Sequence, residues 1–123
     1  MKENQLTRED FQSMKETGRK AIETSIVEKT GIEVSVRLYT DRINIRLAGC
    51  ERYDFDGNLN SDLDTGEIKG VKYNIGSWGS FAPSDTISEI YQVFGILMSD
   101  KSLQQLIEDT LVSLDKTAKQ IFA

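Results

Sequence analysis

Between Asp56 and Glu67, oxygen-bearing side chains recur at Asp56, Asn58, Asn60 and Asp64, and the run closes on Glu67, a carboxylate able to bind through both oxygens. A flexible segment with that spacing can wrap a hard cation, and calcium takes roughly six to eight oxygen ligands. The same residues belong to a wider acidic segment. Positions 50–70 hold Glu51, Asp54, Asp56, Asp62, Asp64 and Glu67 against only Arg52 and Lys69, a local −4 within a formal net charge of −5. Residues 1–30 balance at six acidic and six basic, so the acidity is a patch suited to a partner rather than a global repulsion. A second set is cationic. Arg37, Arg42, Arg46 and Lys72, beside Ser35, Asn44 and Asn74 with Tyr39 at the rim, offer the donors that phosphate and carboxylate recognition uses. Each set also has a plainer reading. The acidic run can be a solvated connection, because Asp, Asn and Gly suit turns, and the cations can line an ordinary polar sheet face.

Other chemistry is closed off by composition. Histidine is absent from the 123 residues, which removes the commonest general base and metal ligand and the usual Ser-His and Cys-His nucleophile pairs. The single cysteine, Cys50, excludes an intramolecular disulfide and has no activating neighbour in the sequence. Asp54 and Asp56 would do acid–base work only if buried, and a turn-rich acidic segment is expected to be wet. Gly76, Ser77, Gly79, Ser80 and Ser84 precede a helix, but their order matches neither a dinucleotide fingerprint nor a phosphate loop. Trp78 and Phe81 make that stretch a packed helix entry, and a non-enzymatic protein is expected.

The elements that must position these residues follow from periodicity. From Glu33 to Ala48, Val34, Val36 and Leu38 alternate with Ser35, Arg37 and Tyr39, and Ile43, Ile45 and Leu47 alternate with Arg42, Asn44 and Arg46. A turn at Thr40 and Asp41, or a loop from Tyr39 to Arg42, sets Leu38 opposite Ile43, Val36 opposite Ile45 and Val34 opposite Leu47, with all six apolar side chains on one face. A helix is expected before this hairpin, capped by Thr7 and ended by Gly31, with Phe11, Met14, Ala21, Ile22 and Ile26 on its apolar side. Gly18 within it marks either close packing against another element or a weak turn, the second being the plainer reading. A third strand is predicted at Val71, Tyr73 and Ile75, after the acidic connection. Two more helices are predicted, one through Ile87, Ile90, Tyr91, Phe94 and Leu97, capped at Ser84, Asp85 or Thr86, and one through Leu103, Leu106, Ile107, Leu111, Leu114, Ala118 and Ile121. The expected fold over residues 1–123 is therefore a single α+β domain: one N-terminal helix, a three-stranded antiparallel sheet, and two C-terminal helices packed on one sheet face.

Two resemblances add to this reading. The spacing from Asp56 to Glu67 resembles the twelve-residue calcium loop of EF-hands, with Ser61 where that family has glycine, and it implies calcium held by Asp56, Asn58, Asn60, Asp64 and Glu67. The passage VKYNIGSWGSFAPSDTISEIYQVFGILM, residues 71–98, resembles small accessory proteins of bacteriophages and mobile elements, in which a strand ends in a Gly-Ser turn and a Pro or Ser-Asp cap opens an amphipathic helix. Proteins of that kind often bind a host or phage macromolecule, and some, such as anti-CRISPR proteins, inhibit a nucleic-acid-targeting defence system. The expected function is macromolecule binding, with a protein partner contacted through Glu51, Asp54, Asp56, Asp62, Asp64 and Glu67 or through the sheet face. A calcium-binding module and a nucleic-acid binder using Arg37, Arg42, Arg46 and Lys72 are the alternatives. Leu103, Ile107, Thr110, Leu114, Thr117 and Ile121 fall at coiled-coil spacing, so a homodimer through the far end of the last helix is also expected. The opening MKENQLTRED lacks the apolar core of a signal peptide, and no apolar run is long enough to span a bilayer. A cytoplasmic location without membrane contact is expected.

Overall fold

In the computed structural model, residues 7–47, 53–65, 67–77 and 84–122 are described. The alternation from Val34 to Leu47 forms a hairpin of β1 (Val34–Leu38) and β2 (Arg42–Leu47), paired Val34 to Leu47, Val36 to Ile45 and Leu38 to Ile43. All six apolar side chains are buried. The connection closes through the Tyr39 N–H, which donates to the Arg42 carbonyl at 2.8 Å. No described residue other than glycine has positive φ, so Thr40 and Asp41 do not form the primed turn that two-residue hairpins favour. A neighbouring strand holds the turn instead: the Asp41 carbonyl accepts from the Leu59 N–H at 3.0 Å.

That neighbour corrects the expected strand count. Residues read as an acidic connection form β3 (Tyr53–Ser61), and the strand predicted around Val71 to Ile75 is the middle of β4 (Ile68–Ser77), so the antiparallel sheet has four strands in the order β1-β2-β3-β4. The alternation in β3 is Tyr53, Phe55, Gly57 and Leu59 against Asp54, Asp56, Asn58 and Asn60, and its glycine and its turn-favouring Asp and Asn residues disguise it. Close packing across β3 depends on that glycine. A Cβ at Gly57 would lie 2.8 Å from Ile43 Cγ2 and 2.8 Å from Tyr73 Cε1, so the missing side chain lets the Tyr73 ring lie across β3. Two residues earlier, Phe55 is buried and stacks on Phe94 with ring centroids 5.7 Å apart.

Three helices complete the chain: α1 (Arg8–Thr30), α2 (Ser84–Ser99) and α3 (Lys101–Phe122). Thr7 and Asp10 form a reciprocal capping box at the start of α1, and Gly31 ends it. Phe11, Ile22 and Ile26 of α1, Ile90, Val93 and Leu97 of α2, and Leu103, Ile107, Leu111 and Leu114 of α3 join the buried strand residues in one cluster. Of the two readings of Gly18 the structure selects close packing over the plainer weak turn, since a Cβ there would lie 2.6 Å from Thr110 Cγ2 and 3.4 Å from Leu38 Cδ1. The coiled-coil spacing of α3 is used within the chain. Leu103, Ile107, Leu114 and Thr117 are buried, the Thr117 hydroxyl lies 3.9 Å from Met14 Sδ, and at the far end Phe122 meets Phe11 edge-on at 5.5 Å. No helix among the described residues is long and apolar enough to cross a membrane.

Two carboxylates tie the helices to their neighbours. Glu23 Oε2 accepts from Arg19 at 2.7 Å and from the Val36 N–H at 3.3 Å, which occupies a donor on the outer edge of β1. Asp100 separates α2 from α3. Its Oδ1 accepts from the Leu103 N–H at 2.9 Å and from the Ser102 hydroxyl at 2.7 Å, while Oδ2 pairs with Lys29 Nζ at 2.8 Å. The Lys29 ammonium, followed by these two donors, holds the Asp100 carboxyl well below its usual range.

Two outcomes are expected. Gly57→Ala forces the Ile43 and Tyr73 contacts apart and should lower stability in chemical denaturation by about 1–3 kcal/mol, the usual cost of overpacking. Asp100→Ala should lower the denaturation midpoint at neutral pH. Because the folded pKa is depressed, the wild-type advantage is present above the ordinary carboxylate range and shrinks as pH falls through it toward the folded value, which a pH series of denaturation curves would check.

Candidate interaction surface

The strand register sorts the sequence-predicted site residues into cross-strand rows. One row runs Arg37, Asn44, Asp56, Asn74, a second Arg42, Asn58, Lys72, and a third Ser35, Arg46, Asp54, Gly76. These positions alternate with the buried residues of each strand, as pleating requires. Ser35, Arg37, Arg42, Asn58, Asn60, Lys72 and Asn74 are exposed, while Asn44, Arg46 and Asp56 are half-buried. Adjacent strands lie about 4.8 Å apart, so Arg42 and Lys72 stand about 10 Å from each other across Asn58.

The four cations expected on one face are thus placed there together. Their surroundings differ. The Arg42 guanidinium lies 4.4 Å from the centroid of the Tyr39 ring, a cation–π contact at the hairpin rim. Arg37 and Lys72 make no ion pair within the described residues. Asn44 Nδ2 donates to Asp56 Oδ1 at 3.0 Å, and the register sets Asp54 opposite Arg46. Acidic β3 therefore runs between basic β2 and the lysine-bearing β4, and the two surfaces expected separately are interleaved on one.

The acidic set does not form one patch. Asp54 and Asp56 belong to the strand, whereas Asp62, Asp64 and Glu67 belong to the connection to β4, and Glu51 lies outside the described residues, as do Cys50, Trp78 and Phe81. In the connection, Asp62 Oδ1 accepts from the Asp64 N–H at 2.8 Å and the Thr65 N–H at 3.0 Å, Thr65 Oγ1 accepts from the Glu67 N–H at 3.2 Å, and the Asp62 N–H donates to the Glu67 carbonyl at 2.8 Å. Lys69 Nζ pairs with Asp62 Oδ2 at 3.2 Å. The Thr65 and Asp64 amides, then Lys69, hold the Asp62 carboxyl below its usual range. Its oxygens thus serve the turn itself. Asp64 and Glu67 are exposed on the same connection, beside a fully exposed Leu63.

This geometry spreads the first residues of the calcium-loop reading along a strand. Asp56, Asn58 and Asn60 are extended strand residues on one face, about 6.7 Å apart in succession, whereas calcium ligands meet within about 2.6 Å of one point. Among the described residues no group of three or more acidic, cysteine or histidine side chains could hold a metal ion. The oxygen spacing arises from an outward strand row followed by a side-chain-capped turn. In the sequence the outward row of Asn58 and Asn60 reads as ligands or as a solvated connection, because the glycine at position 57 conceals the alternation.

No protein-family model, curated protein or solved structure matches the chain. Calorimetric titration with calcium should give no saturable heat, and Glu67→Ala should behave as wild type; a saturable signal abolished by that substitution would require the strand end to refold around the ion.

Proposed function

We propose that this protein is a non-enzymatic binding protein that engages a protein partner across the outward face of its four-stranded sheet. The observation that carries this reading is the interleaving of charge. Exposed Arg37, Arg42 and Lys72 flank a β3 that carries Asp56 bonded to Asn44. A nucleic-acid backbone presents phosphates in continuous succession and rewards an unbroken cationic track. A face with both signs, exposed amides at Asn58, Asn60 and Asn74, and an Arg–Tyr stack at its rim suits a partner of matching mixed polarity, where complementarity sets specificity and association rate. The resemblance of residues 71–98 to accessory proteins of phages and mobile elements supports a role as an inhibitor of a host nucleic-acid-targeting system, reached through such a contact.

Nucleic acid is the second reading, favoured by the absence of ion pairs at Arg37 and Lys72 among the described residues. Affinity capture from cell lysate with wild type, with Arg37 and Lys72 both changed to Glu, and with Asp64 and Glu67 both changed to Lys separates these ideas. Loss of the partner in the first variant and its retention in the second is expected; identical partners in all three would move the contact off the sheet. In parallel, titration with labelled duplex and single strands should show no binding at low salt, and saturable binding that weakens steeply with salt would select the nucleic-acid reading.

A further inference from the structure

A cleft of about 430 Å³ opens between β4 and the junction of α2 with α3, within the size range of small-molecule sites. Val71, Tyr73 and Met98 supply its apolar wall. Its polar groups are sorted by charge, with Glu108 on α3 and the ammonium groups of Lys101 and Lys69.

The Tyr73 hydroxyl is buried and has no hydrogen-bond partner among the described residues, and Tyr73 lines this cleft. Burial, and after it the negative charge of Glu108, push the phenol pKa up, so the group stays protonated. Glu108 Oε2 accepts from Gln105 at 3.2 Å. Its other oxygen faces Gly70, where φ is 93° and a Cβ would already lie 3.7 Å from Oε1, so the absent side chain keeps the approach to this oxygen open. Lys69 is paired with Asp62, whereas Lys101 is exposed at the start of α3 and makes no ion pair within the described residues. The cleft thus offers one carboxylate oxygen, one buried donor, one free ammonium and an apolar wall.

A simple anion would meet Glu108, and a simple amine would meet Lys101. We propose that the cleft binds a small zwitterion, a free amino acid with an apolar side chain, its ammonium on Glu108 and its carboxylate between the Tyr73 hydroxyl and Lys101. The side chain lies along Val71 and Met98. This cleft uses Val71 and Tyr73 of β4, not the outward Lys72 and Asn74, so its test is independent of the sheet-face contact.

Calorimetry and amide NMR shifts on the full chain, with L-leucine, L-methionine and L-phenylalanine as probes, should show saturable binding of at least one at millimolar concentration or below. Removing one charge from the ligand, with 3-methylbutylamine and 4-methylpentanoic acid in place of leucine, should abolish binding. Glu108→Gln and Lys101→Ala should each weaken binding by at least about tenfold, the loss expected when one partner of a charge-assisted contact is removed. Lys101 is exposed, so its variant keeps the fold and remains interpretable. Failure of all three amino acids to bind, or equal affinity in wild type and both variants, would overturn the proposal.

Discussion

A one-residue slip of β1 against β2 would carry Val36 to solvent and turn Arg37 toward the buried cluster. The cost of an unpaired guanidinium in an apolar interior is large enough to forbid the alternative, and this sidedness propagates through the sheet. Once Ile43 and Ile45 face the core, Asn44 and Arg46 must face outward, and β3 pairs against them in the register that sets Asp56 beside Asn44. The polarity of every later strand is inherited from the first hairpin.

Inheritance reaches β4 with a useful consequence. Its odd positions, Val71 and Tyr73, lie with the partly buried residues against the core, and its even positions, Lys72 and Asn74, are exposed. A single strand therefore contributes to two environments of opposite character, a charge-interleaved sheet face and a partly apolar cleft beside α2 and α3. Gly57 links them. The absence of a side chain there admits the Tyr73 ring across β3, and the position of that ring decides where its hydroxyl sits.

Beyond the shared core, the helices meet at several close contacts. Gly18 approaches Thr110, Phe11 meets Phe122, and Asp100 joins the last turn of α1 to the first turn of α3 through Lys29 and Leu103. This packing consumes the heptad-like spacing of α3 within the chain. An apolar repeat of that period reports that a helix has a neighbour and leaves the identity of the neighbour undetermined.

Period-two alternation determined by itself the first hairpin, its register and the outward placement of Arg37, Arg42 and Arg46, because strand side chains must alternate and apolar ones must be buried. Helical periodicity likewise located α1, α2 and α3, and Thr7 and Gly31 marked the two ends of α1. Tertiary structure alone decided that residues 53–61 are a strand, since Gly57 is small for contacts with Ile43 and Tyr73 that lie far away in the chain, while Asp and Asn are ambiguous between a turn and a solvated strand face. It alone divided the acidic run between the sheet and the turn after it, and placed Tyr73, Glu108 and Lys101 around one cleft. Local composition reports what a residue can do; which residues it meets depends on how distant segments pack.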